Sequence, residues 1–420
     1  MFRKKILDTF YRKSEILFVL TDQVIVSAGN FLLTILILRY LGIKNFGLFS
    51  YLWFFLLFIN SIQLSYIISP MLTNFPKQKI TDVNLFYGGV FLQQLVFSLI
   101  MFFFTFLVLK FFGNFLSSFP IKDFYLSFSL LIVFTQIQQF LRRLLFGKSL
   151  YIRAIISDLC TYLLLICLII YFNYLDKLNL ETIFWFFTFS FLLGTVINLP
   201  IIFTLNYKLE NTLESIKENW KIGRWMTLTS IVQWFSGNLW IINSGIILGP
   251  YMFGIIRACQ TVTNFANLFF QSLENIIPKK TSKVFMKDKK KGMDIFLKKF
   301  ALKGFIVVSI ISIIIILFSK TILNFFYGNE TAQFYKIIIY LALILPLTFL
   351  CYPTAYGLRT LGITQPIFIS FLMSGAVALL GSNYIISHYK IIGLVTGLFL
   401  SQLIISTVQY VSYSYYLKKK

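Results

Sequence analysis

Six hydrogen-bonding side chains recur at helical spacing inside one long apolar run of the sequence. They lie three or four positions apart, which places them on one face of a helix at about 100° per residue. Polar side chains in a membrane span mark either a contact with another helix or a water-filled pathway. Both interpretations are open for this face, which consists of Arg257, Gln260, Asn264, Asn267, Gln271 and Glu274.

Shorter polar faces occur in three further apolar runs. They comprise Gln23, Ser27, Asn30 and Thr34; Thr135, Gln138, Gln139 and Arg142, with Gln136 and Arg143 beside them; and Ser230, Gln233, Gly237, Trp240 and Ser244. Amide groups both donate and accept hydrogen bonds, as sugar hydroxyls require. An indole ring can stack on a sugar, although a tryptophan at a position such as Trp240 is more often a packing residue. Together these faces predict a pathway for a polar, sugar-like substrate.

The arginines are the residues best suited to an anionic substrate. A guanidinium holds two phosphate oxygens at once, whereas a lysine ammonium acts as a point charge. Arg257 lies about two turns inside its apolar run, which predicts a ligand or a counter-charge. Arg39 lies nearer the end of its run, where it can also reach the membrane surface. Arg142 and Arg143 lie at a predicted cytoplasmic mouth, where they suit either diphosphate entry or the ordinary charge bias of cytoplasmic loops.

Three acidic residues lie inside apolar runs, namely Asp22, Asp158 and Glu274. They are candidates for binding the H⁺ or Na⁺ that would drive transport, or for pairing with nearby arginines. Pairing is the preferred interpretation for Asp158. The four cysteines lie in apolar runs without C-x-x-C spacing, so the sequence predicts no metal site, no disulfide and no other cofactor.

The composition identifies the chain as a membrane protein. Of its 420 residues, 58% are hydrophobic and 13% are charged, and the mean hydropathy is +0.80. Soluble domains contain about 25% charged residues. The net charge of +23 would suggest nucleic-acid binding in a soluble protein. Here the basic residues lie between apolar runs, so no nucleic-acid partner is expected.

About 20 apolar residues cross a bilayer, and twelve runs reach that length. They lie near 16–41, 46–72, 84–111, 123–147, 151–172, 181–206, 225–248, 250–277, 300–319, 331–357, 362–386 and 390–416. Counted over alternating loops, 29 Lys and Arg residues fall on one side and seven on the other. Because basic residues concentrate in cytoplasmic loops, this predicts that both termini are cytoplasmic. Lysine-containing loops are expected at 207–224 and 278–299.

A repeat divides the chain into halves. The pattern L-G-x-x-x-F-G occurs at Leu41–Gly47 and again at Leu248–Gly254, six predicted spans later. An even number of spans between the copies gives both halves the same orientation. We therefore expect an all-α fold with two six-helix lobes, residues 1–206 and 225–420. A cytoplasmic linker at 207–224 would join the lobes around a central cavity.

Several short segments also resemble a known family. They are Asp22-Gln23 with Ser27, Asn30, Phe31, Arg39, Leu41, Gly42 and Phe46-Gly47; Ile68-Ser69-Pro70-Met71-Leu72; Gln139-Phe140-Leu141-Arg142-Arg143; Ser157-Asp158-Leu159; Gly223-Arg224-Trp225; and Arg257-Ala258-Cys259-Gln260. Taken together they resemble the Wzx-type O-antigen and polysaccharide flippases of the multidrug/oligosaccharidyl-lipid/polysaccharide (MOP) exporter superfamily, whose fold is MATE-like.

The resemblance implies a function, a substrate and a location. Such a flippase moves an undecaprenyl-diphosphate-linked oligosaccharide across the bacterial inner membrane by alternating access, with the lipid tail left in the bilayer. It implies a polysaccharide polymerase and a chain-length regulator as partners. The chain lacks the two additional helices of the peptidoglycan-precursor flippases. Its predicted spans 7, 11 and 12 contain no acidic residue for a sodium site like theirs.

Two other functions fit a chain of this composition. A MATE-like exporter of drugs or other small molecules would share the fold, but a cavity containing Arg257 suits an anion better than a cationic drug. A membrane polysaccharide polymerase or ligase usually has a long outer loop with catalytic polar residues, and the predicted outer loops are short. We therefore expect a transporter and not an enzyme.

Overall fold

The computed structural model describes the backbone of residues 2–74, 83–112 and 122–418. Side chains are described for these ranges except at 2–16, 73–74, 112, 122, 209–211, 214–215, 218, 222, 265–269, 271–272 and 274–276. Across the described backbone the chain is helical and contains no β-strand, which confirms the predicted all-α fold. Two compact units form, Met1–Ser230 (unit 1) and Ile231–Lys420 (unit 2).

The α-helices of the described ranges follow one another with short connections. In unit 1 they are α1 (Phe2–Gln63), α2 (Ser69–Asn74), α3 (Val83–Phe112), α4 (Tyr125–Gly147), α5 (Tyr151–Tyr174), α6 (Leu180–Ile197) and α7 (Leu199–Ile202). Helix α8 (Leu209–Thr263) runs from unit 1 into unit 2. The remainder are α9 (Phe265–Leu317), α10 (Ser319–Tyr327), α11 (Asn329–Ala332), α12 (Tyr335–Thr360) and α13 (Gln365–Lys418). A π-helical turn, Leu64–Ile68, joins α1 to α2.

Eight helical segments of the described chain are long and apolar enough to cross a membrane, so the protein is a multi-pass membrane protein. Four of the longest helices are each interrupted by one residue with a non-helical backbone. These residues are Gly42 in α1, Gly249 in α8, Lys289 in α9 and Lys390 in α13. Each interruption falls between two predicted spans or at the start of one, so the helix count is compatible with the twelve spans expected from the sequence.

The two copies of the repeated motif adopt the same backbone turn. Gly42 has φ 77° and ψ 166°, and Gly249 has φ 82° and ψ 172°. Only glycine adopts this region without strain. An added Cβ would meet nothing within 4 Å at either position, so the requirement comes from the backbone and not from crowding. In the second copy, Pro250 follows at the first position of the next helix, where its missing N–H costs nothing.

The two loops predicted from their lysines are helical instead. Helix α8 begins at Leu209, inside the predicted loop 207–224, and α9 runs through 278–299 with the single interruption at Lys289. Lysine and glutamate are good helix formers, so a loss of hydropathy does not end a helix. The start of α8 packs on unit 1, where the Asn219 amide donates to Gln93 Oε1 at 2.8 Å.

Helix α4 lies at the centre of unit 1. It packs against α3 and α6, while α5 packs against α1 and α6. Phe128 and Phe140 of α4 are fully buried, and the Phe128 ring meets the edge of Phe184 from α6 at 5.5 Å. The polar face of α4 is therefore surrounded by neighbouring helices and not by lipid.

Unit 2 is organised around α12, which packs against α9 and α13. Pro346 interrupts the hydrogen bonding of α12, because proline has no N–H to donate to the carbonyl of Ala342. Ser312 of α9 supplies the missing donor, and its hydroxyl lies 2.7 Å from that carbonyl oxygen. This contact satisfies the backbone within the membrane-spanning part of the helix.

Candidate functional site

A buried ion-pair cluster in unit 1 joins three helices. Arg142 of α4 contacts Asp22 of α1 and Asp158 of α5 at once. Its Nε lies 2.9 Å from Asp22 Oδ2 and 2.8 Å from Asp158 Oδ2, and a terminal guanidinium nitrogen also contacts Asp22. The three side chains are 7%, 1% and 2% exposed. Two carboxylates therefore share one contacting cation in a site closed to bulk solvent.

Neutral polar groups extend this cluster. The Gln138 amide donates to Asp158, and the Asn30 amide donates to the Tyr162 hydroxyl at 3.0 Å. Gln23 donates to Ser27 one turn further along α1 at 3.3 Å. The polar faces predicted on spans 1 and 4 thus meet each other through α5.

Asp22 and Asp158, predicted as ion-binding or pairing residues, both pair with Arg142. For Asp158 this is the preferred interpretation of its position. Arg143 is half-buried next to the cluster and Gln139 is half-buried on α4, whereas Arg39 is exposed on α1. Their predicted roles in binding an anionic substrate remain predictions.

Unit 1 contains a second buried polar network, which the sequence alone does not predict. Gln63 donates to Gln94 Oε1 at 2.9 Å and to the Gln136 carbonyl at 2.6 Å, and it is 1% exposed. Gln136 donates in turn to Asn60, and Gln94 donates to Ser98 at 2.9 Å. Isolated amides in the predicted spans 2 and 3 were the available signal. Without the fold, nothing indicated that these amides meet.

In unit 2, Arg257 makes a contact along its own helix. Its guanidinium donates to Gln260 Oε1 at 2.8 Å, three residues along the predicted polar face. Asn264 is exposed and lies between the end of α8 and the start of α9. Asn267, Gln271 and Glu274 complete the predicted face, and their side chains lie outside the described residues.

A polar pocket of about 250 Å³ lies among α8, α12 and α13 of unit 2. Gln233, predicted as a cavity residue, lines it together with Arg359, Gln402 and Gln409. Gln402 donates to Cys351 Sγ at 2.7 Å, and Gln409 donates to the Ser370 hydroxyl at 3.0 Å. None of the described residues that line this pocket carries a carboxylate.

Gln409 leaves an unused acceptor at this pocket. Its side chain is 2% exposed, and its Oε1 atom has no hydrogen-bond partner among the described residues. Buried polar atoms are nearly always hydrogen-bonded, so an orphaned acceptor at a pocket is suited to a donor from a ligand or from water. Arg359 and Gln409 are not among the predicted site residues. Arg359 follows the predicted span 331–357, where it counts among the basic residues of the cytoplasmic side.

Trp240 lies inside unit 2 as a packing residue, the interpretation that the sequence favours over sugar stacking. It is fully buried, and its indole N–H donates to the Ser401 hydroxyl at 2.9 Å. Gly397 of α13 lies against the ring, where a Cβ would come within 2.2 Å of Trp240. The indole therefore holds α8 and α13 together and presents no free face to a ligand.

No protein-family model matches the sequence, and no curated protein matches it. Solved structures do match. An inward-facing multidrug-resistance MATE family transporter of the MOP superfamily aligns at TM-score 0.78 and 14% identity, covering 97% of this chain and 99% of that one. The lipid II flippase MurJ aligns at TM-score 0.75 and 14% identity, covering 95% and 87%.

A MOP superfamily transporter from Pyrococcus furiosus aligns at TM-score 0.67 and 13% identity, covering 96% of this chain and 95% of that chain. At such low identities the agreement concerns the fold, and it extends over nearly the whole length of each protein. The buried polar clusters described above therefore lie in a chain that has the fold of the MATE and other MOP-superfamily transporters.

Proposed function

We propose that the protein is a flippase for a polyprenyl-diphosphate-linked oligosaccharide. In this account an O-antigen, capsule or exopolysaccharide repeat unit on undecaprenyl diphosphate crosses the inner membrane by alternating access. Both termini lie in the cytoplasm, and the lipid tail stays in the bilayer. A polymerase and a chain-length regulator would use the product on the outer face.

The pocket of unit 2 is the main support for this proposal. Its three glutamines and one arginine offer amide and guanidinium groups, and the buried Gln409 Oε1 has no donor among the described residues. A sugar hydroxyl supplies such a donor, whereas an apolar drug would leave the acceptor unsatisfied. Arg359 is the charged residue among the described lining residues, and a guanidinium suits an anionic substrate better than a cationic one.

The cluster of unit 1 is our candidate for energy coupling. Arg142 contacts both Asp22 and Asp158, so these three groups have one carboxylate in excess, and the half-buried Arg143 beside them offsets part of that charge. A bound proton or monovalent cation would offset the remaining charge. Because an uncompensated buried charge is destabilising, binding of that ion would stabilise the site. Glu274 stays a further candidate for this role.

The structural likeness also extends to a multidrug-resistance MATE family transporter. Small-molecule export is therefore the second candidate function. The lining of the unit 2 pocket argues against cationic drugs, and the likeness to a lipid II flippase supports a lipid-linked substrate. A polymerase or ligase is the least supported alternative. It requires catalytic residues on the outer face, and the predicted outer loops are short.

The test uses purified protein in proteoliposomes that contain the lipid-linked oligosaccharide, with an impermeant sugar-binding probe to report the leaflet. We expect Gln409→Leu and Arg359→Ala to reduce the flipping rate at least tenfold and Arg359→Lys to restore part of it. Arg224→Ala is the matched control, since Arg224 is exposed and stacks on the neighbouring Trp225 at 5.8 Å.

Flipping at the wild-type rate by both pocket variants would remove this pocket from the proposal. No flipping by the wild-type protein, together with efflux of a small cation, would replace the proposal with the MATE-like function.

A further inference from the structure

A second and larger cavity lies within unit 2, apart from the glutamine-lined pocket. It occupies about 980 Å³ between α12 and the later halves of α9 and α13. Leu347 and Leu350 of α12 and Leu403 of α13 contribute to its apolar wall. Leu350 and Leu403 are 37% and 36% exposed, so the cavity is an open groove and not a closed void. Helix α12 lines this groove and the glutamine-lined pocket with different residues.

The groove also has a basic region. Its lining includes Lys290, Lys291, Lys298 and Lys418, and Asp294 is the one acidic residue among the described lining residues. These residues belong to segments that the distribution of basic residues places on the cytoplasmic side. The groove therefore combines an apolar wall at membrane-spanning helices with positive charge at the expected cytoplasmic surface.

The single acid does not neutralise this charge. Asp294 pairs with Lys298 at 2.7 Å and accepts a hydrogen bond from the Tyr413 hydroxyl at 3.4 Å. The Lys298 side chain is 73% exposed, and exposed ion pairs are weak. Lys290 donates to the Tyr416 carbonyl at 3.1 Å, which holds its ammonium beside α13. Four lysines and one carboxylate leave an excess of three positive charges.

We propose that this groove binds an anionic glycerophospholipid of the cytoplasmic leaflet. The phosphate would lie against the lysines, and an acyl chain would lie along Leu347, Leu350 and Leu403. Basic pockets between transmembrane helices on the cytoplasmic side suit such head groups. The basic residues described in the lining are all lysines, which do not offer the planar fork of arginine that favours a diphosphate.

Hydroxyl groups near the lysines fit the same ligand. Ser414 and Tyr410 line the groove about one and about two helical turns before Lys418, where they can donate to phosphate or ester oxygens. This lipid site is independent of the transported substrate and goes beyond the proposed function. It gives the lobe a bound membrane lipid on a surface that the glutamine-lined pocket does not use.

The experiment is native mass spectrometry of the purified full-length protein titrated with phosphatidylglycerol, with phosphatidylcholine as the zwitterionic comparison that has no net charge. One groove variant neutralises charge, K291Q/K298Q/K418Q. Its matched control is K280Q/K283Q/K287Q, three exposed lysines on the preceding part of α9 that do not line the groove. A second groove variant, Leu350→Trp, fills the apolar wall and keeps every lysine.

We expect one phosphatidylglycerol to remain bound to the wild type and to the lysine control. The charge variant should bind it about tenfold more weakly, since basic residues near a membrane surface each attract anionic lipid. Leu350→Trp should also lose the bound lipid, which charge attraction alone does not predict. If the charge variant does not fold, the Leu350→Trp comparison still decides the question.

Three outcomes would overturn the proposal. Equal retention of phosphatidylcholine would show that the charge is irrelevant. Equal weakening by the groove and control triple variants would indicate general surface attraction. Displacement of phosphatidylglycerol by an equimolar polyprenyl diphosphate would assign the groove to the carrier lipid.

Discussion

Arg142→Gln should destabilise unit 1 by about 3 kcal/mol, because removing one partner of a buried ion pair leaves uncompensated charge behind. The change leaves Asp22 and Asp158, both almost fully buried, without their contacting cation. Losses of this kind range from about 3 to 5 kcal/mol. We take the lower end because Arg143 lies beside the cluster, half-buried, and is close enough to interact with both carboxylates.

Asp22→Asn should behave very differently, although it alters the same contact. It leaves Arg142 and Asp158 as a one-to-one pair, and the asparagine oxygen can still accept from the guanidinium. It also removes the repulsion between two carboxylates that share one cation. We therefore expect a change in the free energy of unfolding within about 1 kcal/mol of zero.

The double variant Arg142→Gln/Asp22→Asn gives the clearest test of whether uncompensated charge causes the loss of stability. It removes the cation and one of the two charges that the cation offsets, so it should be more stable than Arg142→Gln alone. Unfolding of the detergent-solubilised protein in denaturing detergent measures all four forms. The reasoning fails if Asp22→Asn destabilises as much as Arg142→Gln, or if the double variant is the least stable of the set.

Three further predictions concern the repeat, the arginine of α8 and the buried indole. Gly42→Ala and Gly249→Ala should each lower the free energy of unfolding by about 1 to 3 kcal/mol through backbone strain. Gly237→Ala is the control in the same unfolding assay. Gly237 lies within α8 and is equally uncrowded, so its replacement should be neutral or stabilising. Arg257→Ala should strongly reduce surface polysaccharide at unchanged protein level, and Arg257→Lys should restore only part of that polysaccharide. Full activity of the alanine variant would remove this residue from the mechanism. Trp240→Phe should cost about 1 to 3 kcal/mol, because it loses one hydrogen bond and leaves a cavity where the larger ring is fully buried. The apparent affinity for the lipid-linked substrate should not change, and a selective loss of affinity would instead support a role in sugar binding.

The sequence was most informative about features that depend on local composition. The spans follow from runs of apolar residues, and the repeated L-G-x-x-x-F-G motif marks the two glycine turns at Gly42 and Gly249. The prediction of loops at 207–224 and 278–299 was wrong. Charged residues indicate that a segment is exposed to solvent, but they do not show where a helix ends. Lysine-rich segments such as the start of α8 remain helical when one face can pack on a neighbour.

The candidate sites were predictable only in part, since a polar residue in a span does not identify its partner. The polar face of α4 was visible from its spacing, but the pairing of Arg142 with Asp22, 120 residues away, depends on how α1 packs. The same reason explains the missed contacts of Gln63. Arg359 was hidden by its position in the last turn of α12, where a basic residue is also expected from the helix dipole.

The most direct test of the flippase account is the leaflet in which the lipid-linked oligosaccharide accumulates when the protein is absent. Sealed membrane vesicles of known orientation, from a strain that lacks the gene, would be probed with an impermeant sugar-specific reagent. The account predicts single repeat units trapped on the cytoplasmic face and released when the gene is restored. Units on the outer face would contradict it and indicate polymerisation or ligation, and the absence of any accumulation would favour a small-molecule exporter.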